Sequence, residues 1–245
     1  MASSPKSPQD ERPALRWIHL GRQRYRPVLE RQLEQWEAVR DERATDTIFT
    51  VEHEPVITLG KRATDGDVLL SEDDLRTRGI DLVRTDRGGE ATWHGPGQLV
   101  LYPIIHVTRA GLGASDLVRG LADEIRKWLA TIGIACAWDN EHPGLWVAPK
   151  PDAPLMERSP AKITAVGMKI QSGVSRHGAA LNVSNDLSPW ALFVPCGMPH
   201  ARATSVQKEA PEQPTALEPI ARVIVHGFAE RFGYQVVEDD NDEGR

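Results

Sequence analysis

Three stretches of the chain place apolar residues three or four positions apart, the spacing of one face of an α-helix. The first starts near Pro27, a residue suited to a first helical turn, the second has Ser115 as its expected N-cap and Gly133 as its expected end, and the third ends at Gly233. The apolar stripes are Leu29, Leu33, Trp36 and Val39; Leu117, Leu121, Ile125, Trp128 and Ile132; and Leu217, Ile220, Ile224 and Phe228. We expect all three faces to pack on a core.

Between the helices lie short runs rich in Val, Ile, Thr and Trp, which predict strands. These runs are 17–20, 47–52, 81–85, 99–107, 134–138, 145–148, 163–170, 178–183 and 234–238. The strands cluster instead of alternating with helices, and a glycine fingerprint of the G-x-G-x-x-G type is absent. The pattern therefore predicts an α+β fold with a mixed β-sheet and flanking helices, and disfavours a doubly wound nucleotide fold.

Polar composition at both ends predicts tails. Residues 1–14 are rich in Ser, Pro and charge and are expected to be a disordered N-terminal tail, and residues 239–245 an acidic C-terminal tail. No repeat or linker divides residues 15–238, which we interpret as one domain.

Charge and hydropathy narrow the class of protein. The formal net charge of −6 gives no general reason to bind nucleic acid. The most apolar stretch, 99–107, is too short to span a membrane, and the N-terminus lacks the apolar core of a secretory signal. We expect a cytoplasmic protein with neither nucleic-acid nor membrane partners.

The chain has only two cysteines, which excludes a disulfide framework and a four-thiolate metal site. Cys136 lies in the apolar run IGIACAW and is expected to pack in a buried strand. Cys196 lies between Pro195 and Gly197, a sequence typical of a turn, where a thiol can be activated. Cys196 is therefore a candidate nucleophile. The candidate proton partners are Lys162, His94, His177 and His200.

The segment 86–102, DRGGEATWHGPGQLVLY, combines four glycines with Arg87 and His94 beside a strand. Glycines of this kind serve as ordinary turns or let a ligand approach backbone amides. The two flanking donors favour the ligand-binding interpretation.

The segment 161–183 reads as two strands joined near Gly173. Strict alternation places Lys162 with Thr164, Val166, Met168 and Ile170, and Lys169 with Ile163, Ala165 and Gly167. A lysine on an apolar face either reaches out to water or is partly desolvated and suited to proton exchange.

Together these segments resemble the lipoyl(octanoyl) transferase family. That family carries R-G-G-x-x-T-aromatic-H-x-x-G-Q-x-apolar-x-Y, which residues 87–102 match throughout. HEPVITLG at 53–60, AKITAVG at 161–167, HGAALNV at 177–183 and PCG at 195–197 resemble further family segments. The resemblance covers roughly residues 15–205.

The resemblance implies a fold like that of biotin and lipoate protein ligases. It also implies site residues. Cys196 and Lys162 would be catalytic, and the remaining positions would bind substrate: Arg87, Gly88, Gly89, Glu90, Ala91, Thr92, Trp93, His94, Ala165, Val166, Gly167, Gly178, Ala179 and Ala180. Ala179 stands where relatives often carry a larger apolar residue, which bears on chain-length preference.

The implied activity is transfer of an octanoyl group from acyl carrier protein, through a Cys196 thioester, to a lysine of lipoyl domains. The recipients would be the acyltransferase subunits of 2-oxo acid dehydrogenases and the glycine cleavage H protein. No cofactor or metal is expected, since a thioester donor is already activated. An acidic carrier protein would need a local basic patch, with Arg62, Arg84 and Arg87 as candidates.

Two alternatives remain open from the sequence. One is an ATP-dependent lipoate or biotin ligase of the same fold, and the other is a non-catalytic acyl-binding module.

Overall fold

The computed structural model describes residues 12–152, 154–194 and 201–239. Within these ranges the helices are α1 (Tyr25–Arg40), α2 (Glu72–Thr77), α3 (Ala114–Thr131), α4 (Val206–Glu209) and α5 (Leu217–Phe232). The strands are β1 (Ala14–Gln23), β2 (Thr47–His53), β3 (Val56–Leu59), β4 (Asp81–Arg84), β5 (Ala91–His94), β6 (Gln98–Ile104), β7 (Cys136–Asp139), β8 (Gly144–Val147), β9 (Ala161–Gln171), β10 (Val174–Asn182), β11 (Arg202–Ala203) and β12 (Gln235–Glu238).

The strands form two sheets. The larger has the order β12-β1-β2-β6-β10-β9-β8-β7, with β11 paired to β9, and the smaller has the order β4-β3-β5. The pairs β1–β12, β1–β2, β9–β11 and β3–β4 are parallel and the others antiparallel. The prediction of an α+β fold with a mixed sheet and flanking helices is confirmed.

Helices cover both faces of the large sheet. Helices α3 and α5 pack on one face, with Leu121, Ile125, Ile224 and Phe228 in the core. Helix α1 packs on the other face, where Trp36 meets apolar residues of β2, β6 and β10. The small sheet packs around a separate apolar core. A cavity lies between it and the large sheet.

The buried face of α1 differs from the predicted one. Tyr25, Val28, Gln32, Trp36 and Val39 are buried, whereas the predicted Leu33 is exposed. The buried face is shifted because Gln32 is buried by a polar contact that apolar spacing does not predict. Its Oε1 accepts a hydrogen bond from the backbone N–H of His177 at 3.0 Å.

The ends of α3 and α5 test the predicted caps. The expected N-cap Ser115 lies in the first turn of α3, and the N-cap is Gly113, whose N–H donates to Asp116 Oδ2 at 2.9 Å. The expected glycine ends are confirmed, because Gly133 and Gly233 have φ of +82° and +72°.

Three further findings refine the sequence expectations. Strands β3, β5 and β11 lie outside the predicted runs: β3 has only four residues, β5 lies inside the glycine-rich segment and β11 has only two residues. Two residues assigned to the tails belong to the large sheet or bond to it, since Ala14 begins β1 and Asp239 donates its N–H to Trp17 O at 3.2 Å. Cys136 is half-buried on β7, not fully buried, and partial burial raises its pKa. None of the helices in the described ranges is long and apolar enough to cross a bilayer.

Candidate active site

A cavity of about 490 Å³ lies between the two sheets. Its floor is the face of the large sheet at β6, β10 and β9, where Ala180 pairs with Val100 on one side and Ala165 on the other. Gly178 pairs with Gly167 in the neighbouring row. Small side chains on β9 and β10, beside Val100 of β6, leave an apolar trough that fits an alkyl chain.

Two glycines of this floor are required by close backbone approach. A Cβ on Gly178 would lie 1.8 Å from Leu101 O, and a Cβ on Gly167 would lie 2.8 Å from Gly88 O. Gly88 also donates its N–H to Met168 O at 3.2 Å, so residues 86–90 rest directly on β9. The glycines thus bring the loop between β4 and β5 down onto the cavity.

Arg87 holds this loop from within. Its guanidinium donates to Thr58 O at 2.6 Å, Glu90 O at 2.7 Å and Gly88 O at 2.9 Å. Its side chain is buried, so the expectation that it contributes to a surface basic patch is wrong. Arg62, at the cavity rim, pairs with the Glu90 carboxylate at 2.7 Å.

Asp86 anchors the start of the same loop. It receives Lys169 Nζ at 2.7 Å and His177 Nε2 at 2.8 Å, and it also pairs with Arg176. The hydrogen bond from His177, followed by that from Lys169 and the charge of Arg176, holds the pKa of Asp86 well below its usual range. Asp86 therefore stays ionised and fixes the loop to β9 and β10.

Lys162 lies at the other end of the floor and is 1% exposed. Its Nζ lies 3.4 Å from Pro143 O and 4.7 Å from the centre of the Trp146 ring. The pairing of β8 with β9 steps from Thr164 to Lys162, which leaves Ile163 as a bulge.

The bulge corrects the predicted faces of β9. Ile163 belongs to the core beneath α3 and α5, and Val166, Met168 and Ile170 pack against that same core. Lys162 instead shares the cavity face with Ala165 and Gly167. The predicted separation of Lys162 from Lys169 by face is therefore wrong, because strict alternation takes no account of an inserted residue.

The inner wall of the cavity is a buried polar cluster. His53 donates Nδ1–H to Gln23 O at 3.2 Å, and its Nε2 accepts from Tyr102 OH at 2.8 Å. The Tyr25 ring lies beside this pair, with its centre 5.0 Å from that of His53. Burial lowers the pKa of His53 to about 4 and, with repulsion from neighbouring cationic groups, that of His94 to about 3, so both rings are neutral at pH 7.

Thirteen of the fourteen predicted substrate residues, and Lys162, line this one cavity. They are Arg87, Gly88, Gly89, Glu90, Ala91, Thr92, His94, Ala165, Val166, Gly167, Gly178, Ala179 and Ala180, with Lys162. Trp93 does not line it, because alternation along β5 turns its ring into the core of the small sheet. Cys196 and His200 lie outside the described residues.

Sequence reasoning missed other lining residues. Tyr25 and Trp190 come from the start of α1 and from the turn before residue 195, and neither stands in a motif that would mark it. Glu141, His142 and Pro143, in the turn between β7 and β8, join the cavity that Lys162 lines because β8 pairs with β9. His177, expected as a proton partner, is instead bonded to Asp86.

A family model described as the lipoyl protein ligase A/B catalytic domain matches residues 24–229, and the chain belongs to that family. An octanoyltransferase of Alkaliphilus metalliredigens is 35% identical over 222 residues, 90% of this chain and 96% of the relative. One of Chloroflexus aurantiacus is 41% identical over 180 residues, 73% of this chain and 77% of the relative. These similarities group the chain with the octanoyltransferases, and it is an acyltransferase enzyme.

Solved structures share the architecture. A lipoate-protein ligase A bound with ATP has a TM-score of 0.64 at 15% identity, covering 95% of this chain and 90% of that one. A biotin protein ligase from Aquifex aeolicus has a TM-score of 0.51 at 10% identity, covering 89% and 70%. At these identities the likeness concerns the fold, and it confirms the predicted ligase-like architecture.

Proposed function

We propose that the protein transfers an octanoyl group from acyl carrier protein to a lysine of lipoyl domains, through a thioester on Cys196. The observation that carries the proposal is the single cavity that joins an apolar trough of small residues to a buried lysine. The identity of the acyl group as octanoyl comes from the names of relatives that are 35–41% identical to this chain.

The trough supports an unbranched apolar acyl chain. Ala165, Gly167, Gly178 and Ala180 present almost no side-chain bulk, and each methylene buried there contributes about 0.8 kcal/mol. The acyl chain itself needs no polar partner in this part of the cavity.

In the first half-reaction, the Cys196 sulfur attacks the carbonyl carbon of the octanoyl thioester. The new carbon–sulfur bond forms as the bond to the carrier's thiol breaks, and Lys162 passes the cysteine proton to that leaving thiolate. Chain order supports the pairing: Ala203 pairs with Lys162 in the β11–β9 ladder, seven residues after Cys196.

In the second half-reaction, the lysine amine of the lipoyl domain attacks the thioester carbon. A carbon–nitrogen bond forms, the bond to Cys196 breaks, and Lys162 passes the amine's proton to the cysteine thiolate. No bond to a nucleotide is made or broken, because the thioester already activates the acyl group.

The test is a nucleotide-free incubation of the protein with octanoyl-acyl carrier protein. We expect intact-protein mass spectrometry to show one octanoyl adduct that hydroxylamine removes, with Cys196→Ala lacking it. Cys136→Ala is the matched control and should keep it, since that thiol lies on β7 away from the cavity.

Adding a lipoyl domain should then move the octanoyl group into an amide that hydroxylamine does not cleave. A requirement for ATP would instead indicate a ligase, and binding of the acyl group with no adduct or transfer would indicate an acyl-binding module. An adduct that survives in Cys196→Ala would reject the assigned nucleophile.

A further inference from the structure

The hydrogen-bond directions around His94 determine its tautomer. Gln98 Nε2 donates to Trp93 O at 3.1 Å and to Asn182 Oδ1 at 2.9 Å, so the Gln98 amide has one orientation. Its Oε1 therefore faces His94 Nδ1 at 2.8 Å, and Nδ1 must carry the hydrogen. Because burial keeps the ring neutral, Nε2 is a bare acceptor.

This acceptor opens on the cavity. His94 is 5% exposed and lines the cavity, and no side chain or backbone group of the described residues donates to Nε2. His94 Nε2 is accessible from the cavity, whereas the indole nitrogen of Trp93 is fully buried. A hydrogen-bond acceptor on a largely apolar wall calls for a ligand with an N–H or O–H.

The neighbouring tyrosine supports the His94 ring. Tyr25 stacks on His94 with ring centres 5.9 Å apart and lines the same cavity. The stacking and the hydrogen bond to Gln98 together fix the plane of the imidazole, and with it the direction in which the Nε2 lone pair points.

A row of hydrogen bonds ties His94 to the end of the floor that holds Lys162. Gln98 pairs with Asn182 across β6 and β10, and Asn182 Nδ2 donates to Thr204 O at 3.0 Å. The Thr204 N–H donates in turn to Lys162 O at 3.0 Å. The row fixes His94, the strand that carries Lys162 and the segment that follows residues 195–200 relative to one another.

We infer that His94 Nε2 binds an N–H of the attacking lysine amine, which makes His94 a catalytic residue of the second half-reaction. The inference rests on the proposed function. An octanoyl thioester has no hydrogen to donate, whereas a neutral amine has two N–H groups and one lone pair. With one hydrogen passing to Lys162 and the other held by His94, the lone pair is aimed at the thioester carbon.

The variants His94→Phe and His94→Gln test this assignment. Phenylalanine keeps a ring against Tyr25 but removes the acceptor, and glutamine restores an acceptor oxygen. We expect His94→Phe to slow transfer to a lipoyl domain roughly tenfold more than it slows formation of the octanoyl-enzyme, because the acceptor is used in transfer alone. His94→Gln should recover most of the transfer rate.

Back-transfer to free pantetheine provides the matched control. A thiolate attacks without a hydrogen to donate, so in His94→Phe this reaction should slow no more than acylation does. Loss of acylation alone would overturn the inference, because it would indicate that His94 binds an amide N–H of the donor arm. Equal losses in acylation and transfer, or no loss in either, would also overturn it.

Steady-state kinetics separates this inference from the proposed thioester. Whether or not an octanoyl-enzyme accumulates, His94→Phe should lower kcat/KM for the lipoyl domain roughly tenfold more than kcat/KM for the donor. If the wild type forms no adduct but His94→Phe still loses more kcat/KM for the lipoyl domain than for the donor, the thioester is rejected and the role of His94 is kept. If the two kcat/KM values fall equally, or neither falls, the role of His94 alone is rejected.

Discussion

The two lysines of β9 lie seven residues apart on the strand and have different surroundings. Lys169 makes a salt bridge with Asp86 at 2.7 Å, within a cluster that also holds Arg176 and His177. Lys162 is more deeply buried and lines the cavity, where its Nζ lies 3.4 Å from Pro143 O and 4.7 Å from the centre of the Trp146 ring. The salt bridge gives Lys169 a structural role in holding the loop, whereas Lys162 lies beside the space that a substrate would occupy. The groups around each lysine therefore separate their roles.

The histidines repeat this contrast. His177 donates to Asp86 and belongs to the charged cluster, while His53 and His94 belong to a chain of neutral donors and acceptors. One end of the site is therefore built from compensated charge and the other from uncharged polar groups.

The largest expected effect separates the two lysines directly. Lys162→Met keeps an apolar stem but removes the proton carrier, and octanoyl transfer should fall by roughly a hundredfold or more. Lys169→Met should cost less than about fivefold, since Asp86 keeps two further cationic or hydrogen-bonding partners. Single-turnover transfer to a lipoyl domain measures both. Similar losses would remove the basis for assigning different roles to the two ends.

A smaller effect tests the charged end. Asp86→Asn leaves Lys169 and Arg176 without their carboxylate, and we expect the free energy of unfolding to fall by about 2 kcal/mol, discounted for the part of Asp86 that is exposed. That corresponds to roughly 4–8 °C in Tm. Asp73→Asn, which breaks an exposed ion pair with Arg76, is the control and should melt like the wild type. An unchanged Tm in Asp86→Asn would show that the cluster does not hold the loop.

The smallest effect tests the neutral end by pH. His53 and His94 have folded pKa values of about 4 and about 3, below the usual 6.5, so the unfolded chain binds more protons between pH 6.5 and 4. Stability is therefore complete above pH 6.5 and falls as the pH drops through this window, by about 1 kcal/mol per histidine between pH 7 and 5.5. Asp86 stays ionised over this range and adds nothing to the change.

Urea unfolding at the two pH values measures the loss, to which His177 and His19 also contribute because burial lowers the pKa of each. His53→Phe should reduce the loss by about 1 kcal/mol. A pH dependence identical in the variant and the wild type would contradict the neutral, buried state of His53.

Much of the architecture could be predicted from local pattern. Apolar spacing located α1, α3 and α5, and the glycine ends at Gly133 and Gly233 follow from backbone sterics alone. The predictions that were wrong depend on a distant partner. Gln32 is buried because of His177, and Arg87 points inward because its guanidinium bonds Thr58. Neither partner is near in sequence.

The sequence by itself determined most of the elements, the mixed α+β class and thirteen of the fourteen substrate residues it predicted to bind in one site, because side-chain periodicity and motif spacing are local properties of the chain. The tertiary structure decided which way those residues face. A one-residue bulge at Ile163 places Lys162 on the cavity face, and the Asp86 cluster gives Lys169 a structural role. Strand register and the pairing of charges arise only when distant segments meet, which is why these two lysines could not be told apart correctly by alternation.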